Sequence, residues 1–225
     1  MLKCLNHLSY IQPSEGFFEI PGVFYRGGKG TYQLFEKMTP EMDQEQLAEV
    51  YEIEKKKGNP YPTDAPLILA ICSRAYEIKN ENSKEVESLK NFFRQGFRKY
   101  PTTLTRIIYN SSGQDEIIHN CGTSDQYSFN ENVVGLDGLI ADISDKSILK
   151  SLLLKSLLGI ANIDKINEFS QWINGTDFDI WRLNSKPKQK DERVAGFGAG
   201  SVWLGLGCNG DPLDRDPAFR VLEVK

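Results

Sequence analysis

An α+β fold is predicted for this 225-residue chain on three observations. Amphipathic helical periodicity fills much of the stretch up to about residue 100. Short extended segments bounded by turn residues follow it. The last thirty or so residues hold so much glycine that a helix is disfavoured there, and strands joined by loops are expected instead. The chain is long enough to bury a substantial core, and its 40% hydrophobic and 26% charged residues argue against disorder.

The first helix starts at Thr39 as N-cap with Pro40 at the first helical position, runs through EMDQEQLAEVYEIEKKK and stops at Gly58. After the turn NPYPTD, Ala65 to Ile78 places Leu67, Ile71, Ala75 and Ile78 at helical spacing and reads as a buried helix. Ser83 to Tyr100 repeats an amphipathic pattern through Val86, Leu89, Phe92, Phe93 and Phe97 and ends before Pro101. Leu104 to Tyr109, the polar turn NSSGQ and Asp115 to His119 read as a hairpin. Ser144 or Asp145 is expected to cap a helix that runs to Leu158 and ends at Gly159. A short helix from Asp164 to Ile173 ends at Asn174-Gly175, and Phe178 to Asn184 is strand-like. Alternation around Leu204, Leu206 and Cys208 suits a strand, turns are expected at 209–212 and 214–217, and Phe219 to Val224 is the last strand. The expected organisation is a helix-rich part, residues 1–100, packed as one unit on residues 101–225.

Charge and cysteine usage remove several function classes. A net charge of −4 with no basic block beyond Lys55, Lys56 and Lys57, which close a helix, speaks against nucleic-acid binding. No apolar stretch has the length to span a bilayer, and MLKCLNHLSYIQ lacks a continuous signal-peptide core, so no membrane insertion and a cytoplasmic location are expected. Cys4, Cys72, Cys121 and Cys208 lie far apart, with no CxxC and no His at metal spacing, so buried free thiols and no metal or other cofactor are expected. The segment YRGGKGTY, Tyr25 to Tyr32, lacks the phosphate-loop pattern and is read as a flexible turn. Asn209, Asp211, Asp214 and Asp216 are read as solvated turn residues and not as calcium ligands.

The most informative stretch is Arg193 to Leu222, from which Lys, Glu, Gln and Met are absent. Random replacement of adenines in AAC or AAT codons yields every residue type present there except Trp, and never yields the four that are missing. The segment therefore has the composition of mutagenised sequence. Trp203 stands outside this scheme, as invariant scaffold or as the product of a single adenine in AGG.

The order of the WRLN strand, Gly200, Ser201 and Trp203, a polar loop, and Phe219-Arg220-Val221 resembles the end of the formylglycine-generating-enzyme (FGE-like) subclass of the C-type lectin fold. Across about the last hundred residues, GLIADISDKSILKSLL, INEFSQWINGT, FDIWRLNSKPKQKDERVAGF and LGCNGDPLDRDPAFRV are similar to archaeal variable proteins. Those are the targets of diversity-generating retroelements, in which a reverse transcriptase misreads adenines of a template repeat. The resemblance implies an FGE-like C-type lectin fold with additional N-terminal helices, a variable region at about 193–222, and binding of an unknown protein or other macromolecular ligand without catalysis.

A diversified surface keeps its fold when the changing side chains face solvent and the inward ones stay apolar. Val194, Phe197, Leu206, Cys208, Pro212, Phe219 and Val221 are accordingly assigned to scaffold. Gly198, Gly200, Val202, Trp203, Leu204, Gly205, Gly207, Asn209, Gly210, Asp214, Arg215, Asp216 and Ala218 are the expected ligand-facing positions. The alternatives are an enzyme or pseudo-enzyme of the formylglycine-generating type, for which Cys208 is the single tail cysteine, and a purely structural lectin-like module.

Overall fold

The computed structural model describes residues 16–80, 83–142 and 152–224. The expected cap at Ser144 or Asp145, and Cys4 and His7, lie outside these residues. Sixteen elements form an α+β arrangement of two sheets and five helices among the described residues. Strands β1 (Phe17–Tyr25), β2 (Gly28–Phe35), β3 (Tyr61–Pro62) and β11 (Arg220–Val224) make a four-stranded sheet in the order β1-β2-β11-β3. Seven strands make a larger, curled sheet that forms a half-barrel: β4 (Thr102–Tyr109), β5 (Asp115–His119), β6 (Tyr127–Glu131), β7 (Gly138–Leu139), β8 (Phe178–Trp181), β9 (Asp191–Ala199) and β10 (Leu204–Gly210). Its order is β6-β5-β4-β9-β10-β8-β7, antiparallel at every pair except the parallel β10 and β8.

Helices α1 (Gln44–Lys57), α2 (Ala65–Glu77), α3 (Ser83–Phe97), α4 (Leu153–Leu158) and α5 (Ile163–Asn174) follow local signals. Asp43, not Thr39, caps α1: its carboxylate accepts from the Gln46 amide, the Gln46 side chain answers the Asp43 N–H, and Gly58 ends the helix in the left-handed region. Thr39 is instead buried, and its hydroxyl accepts from Ala218 N at 2.8 Å. Asp64 caps α2 and Asn162 caps α5, each through its side chain. No helix among the described residues is long and apolar enough to cross a membrane.

A further expectation changes. Tyr25 to Tyr32 is not a flexible turn but the centre of the β1–β2 hairpin. Tyr25 pairs with Gly28, and Arg26 and Gly27 both have positive φ, 49° and 81°, as a two-residue type I′ turn requires. β11 pairs with β2 and β3 and so carries the chain's end back to strands of the first hundred residues. The tail is anchored through aromatic rings as well. Phe97 of α3 lies 5.4 Å from Phe219 and 5.3 Å from Phe197, centroid to centroid. Gly96 makes this approach feasible, since a Cβ there would lie 2.6 Å from the Phe219 ring.

Candidate functional site

The glycine-rich tail supplies β9 and β10, the middle of the large sheet. Their pairing sorts its residues by face. Leu204 opposes Ala199 and Leu206 opposes Phe197, and all four are buried on the core side. Gly205 opposes Gly198 and Gly207 opposes Gly196 on the other side, so that face is a floor of bare backbone. Three aromatic rings cover it. A Cβ at Gly198 would lie 2.8 Å from the Trp203 ring and 3.0 Å from Tyr100, while one at Gly205 would run into the Asp179 carbonyl and the Trp181 ring. Trp203 meets Trp181 edge-on at 4.7 Å and Tyr100 at 6.1 Å. Tyr100 is exposed and the two tryptophans are half-buried, so together they form an aromatic platform over the glycines.

Two loops flank the strand. The connection from β9 to β10 is closed by Gly200 N to Trp203 O at 2.9 Å, and Asn174 Nδ2 donates to the carbonyls of Trp203 (2.9 Å) and Gly200 (3.2 Å). Val202 at its tip is 77% exposed. At the opposite end of β10, roughly 20 Å away at about 3.4 Å per residue, the segment from Asn209 to Pro217 is held by its backbone. Gln44 N donates to Pro212 O at 3.2 Å, Met42 N to Asp216 O at 3.1 Å, and Thr102 N to Pro217 O at 2.9 Å. Its side chains at Asn209, Asp211, Leu213, Asp214 and Arg215 are exposed.

Of the expected ligand-facing residues, Val202, Asn209, Gly210, Asp214 and Arg215 are exposed, and Gly200, Trp203, Gly207 and Asp216 are half-buried. Leu204, Gly198, Gly205 and Ala218 are buried and do not face solvent. Leu204 and Ala218 belong to the core because strand register points them inward, and the two glycines lie under aromatic rings. The expected scaffold residues Val194, Phe197, Leu206, Cys208, Phe219 and Val221 are buried, and Pro212 is half-buried. Ser201, Asp211 and Leu213 are exposed positions that alternation alone did not single out, because both loops break the period of two. Tyr100 and Trp181 were missed as platform members, since residues 22 to 103 positions from Trp203 are joined to it only by folding.

The electrostatics of this region are mild. Burial, with neighbouring Asp177, raises the Asp179 carboxyl, and burial together with Asp214 and Glu41 raises that of Asp216. Asp211 Oδ1 accepts from Leu213 N at 2.9 Å as a turn residue does. Among the described residues, no group of three His, Cys, Asp or Glu side chains stands ready to hold a metal ion. Cys208 is fully buried, and desolvation pushes its thiol up to about 12, far from thiolate chemistry at neutral pH. Comparison with protein-family models, curated proteins and solved structures finds no match to the chain.

Proposed function

We propose that this is a ligand-binding protein, not a catalyst, whose C-terminal segment is diversified by a retroelement on a scaffold of the FGE-like C-type lectin kind. The observation that carries the proposal is the separation of fixed from free positions in the tail. Core residues Leu204, Leu206, Cys208, Phe219 and Val221 flank two loops, 200–203 and 209–217, whose backbone is held by other segments and whose exposed side chains meet solvent. Exchange at Ser201, Val202, Asn209, Asp211, Leu213, Asp214 or Arg215 leaves the core untouched. The platform supplies the large aromatic anchors that dominate binding to macromolecules. Trp203, the residue that adenine replacement in AAC or AAT does not produce, is on this account fixed scaffold, because its indole rests on Gly198 and Gly200.

Sequencing the 3′ end of the gene and its flanks tests the proposal. A neighbouring near-identical repeat that differs mainly at adenines, beside a reverse-transcriptase gene, is the expected result. Its differences should fall in codons of the exposed positions and spare those of Leu204, Gly205 and Ala218. Absence of both the repeat and the polymerase would sink the proposal.

A further inference from the structure

A second site lies away from the tail loops, in a cleft of about 280 Å³ between the β1–β2 hairpin, α1 and the turn that follows β5. Its walls are the rings of Tyr25, Tyr32, Tyr51 and Tyr61. Of the three non-glycine residues with positive φ among those described, two line this cleft: Arg26 at 49° and Asn120 at 48°. Strained backbone of this kind persists where the surroundings impose it and concentrates at sites that use it.

The hydrogen bonds beneath the cleft form an ordered chain. Asp64 is fully buried; its Oδ1 accepts from Leu67 N at 3.0 Å, and its Oδ2 accepts the hydroxyls of Tyr25 at 2.6 Å and Tyr127 at 3.0 Å. Because the Tyr25 proton goes to Asp64, the Tyr25 oxygen is left to accept, and it faces Asn120 Nδ2 at 3.4 Å. The amide is thereby oriented, and Asn120 Oδ1 is left with no partner although the residue is 3% exposed. An acceptor this deeply buried, on a residue that lines an open cleft, is completed by a donor from outside the chain. At the mouth, the Arg26 guanidinium lies 4.4 Å from the centroid of Tyr127, and its charge helps to lower the Asp125 carboxyl. Lys55 is already taken by Asp125 at 2.6 Å and the Tyr51 hydroxyl at 2.8 Å. Asp125 and Glu223 add acceptors at the rim.

We propose that this cleft binds a sugar phosphate, free or as part of a nucleotide. The C–H face of a sugar ring stacks on the tyrosine walls, its hydroxyls donate to Asn120 Oδ1 and the rim carboxylates, and the phosphate takes the free edge of Arg26. The site is independent of the tail surface and of its diversification.

Calorimetric titration of the full chain with ribose 5-phosphate, ribose, inorganic phosphate and AMP tests it. Ribose 5-phosphate is expected to bind more tightly than ribose or phosphate. AMP binding well beyond ribose 5-phosphate identifies the nucleotide as the source, and equal binding identifies the free sugar phosphate. Arg26→Gln should weaken ribose 5-phosphate by about tenfold or more and leave ribose unchanged, as loss of one charged hydrogen bond predicts. Asn120→Gly accepts the positive φ without strain, so it should weaken every sugar-containing ligand by about tenfold in a protein that still unfolds cooperatively. No binding of any probe, phosphate binding as tightly as the sugar phosphate, or full affinity in a folded Asn120→Gly protein would overturn the proposal.

Discussion

A single methyl group at Gly200 tests the glycine floor. A Cβ there would lie 2.9 Å from Trp203 Cδ1 and 3.1 Å from Cε2, and its three nearest neighbours all belong to that indole. The ring has little room to retreat, because its far edge rests over Gly198 and Trp181 meets it at an interplanar angle of 80°. Overpacking of this kind costs about 1–3 kcal/mol. Where the backbone tolerates it, the same Gly→Ala change stabilises by about 0.4–1 kcal/mol, by narrowing the unfolded ensemble. In a Trp203→Ala background the clash is gone and the entropic gain remains, so the sign of the Gly200→Ala effect should reverse. The coupling between the two sites is then the clash alone, about 1–3 kcal/mol, because the entropic gain is common to both backgrounds and cancels. Urea unfolding of the parent, the two single variants and the double variant reads it from the midpoints at a common slope. Val202→Ala, at a position 77% exposed, is the control and should stay within about 0.5 kcal/mol of the parent. A Gly200→Ala change that is equally costly with and without Trp203 would refute the stacked floor, and one that costs nothing in the parent would restore Gly200 to the freely variable positions.

Two further outcomes follow from buried titratable groups. Cys208 is fully buried with its thiol pushed up to about 12, so iodoacetamide should label it at neutral pH no faster than the chain unfolds; rapid labelling of the folded protein, read by peptide mass spectrometry, contradicts the register of β10. Burial holds the His119 imidazole below its ordinary 6.5, and the Ser156 carbonyl, 2.7 Å away, places the proton on Nε2 while Nδ1 faces the Thr105 hydroxyl at 2.9 Å. Below about pH 6.5 the unfolded chain therefore binds a proton that the folded chain resists, so stability rises with pH in this window and is lost as the pH falls toward the depressed folded value. The urea midpoint should decline on acidification through that window, and an unchanged midpoint with His119 shown neutral by NMR would refute this linkage.

The helices were the most legible part of the chain, because their signals are local. Gly58 and Gly159 close their helices as expected, and Leu67, Ile71, Ala75 and Ile78 are buried along one another's face as their spacing requires. The error at Thr39 arose where two capping residues competed. Asp43 won because Gln46 stands three residues on to complete the capping box, which left Thr39 to hold Ala218. The hairpin around Arg26 and Gly27 was hidden because arginine is an unusual first residue of a type I′ turn. Only pairing across the hairpin, from Phe17 with Phe35 to Tyr25 with Gly28, holds it there.

Composition by itself determined that the tail is exceptional, and its residue order that it is extended and not helical and that Leu206, Cys208, Phe219 and Val221 face inward. Tertiary structure decided what its glycines are for. Glycine in a strand leaves no side chain from which a partner can be inferred, so Gly198, Gly200 and Gly205 read as variable positions until Trp181, Trp203 and Tyr100 were seen lying on them. It also decided that Leu204 and Ala218 are core and that the Arg26 turn and Asn120 meet in one cleft. Each of these depends on which segments, distant in the chain, are brought into contact, and one-dimensional periodicity carries no record of that.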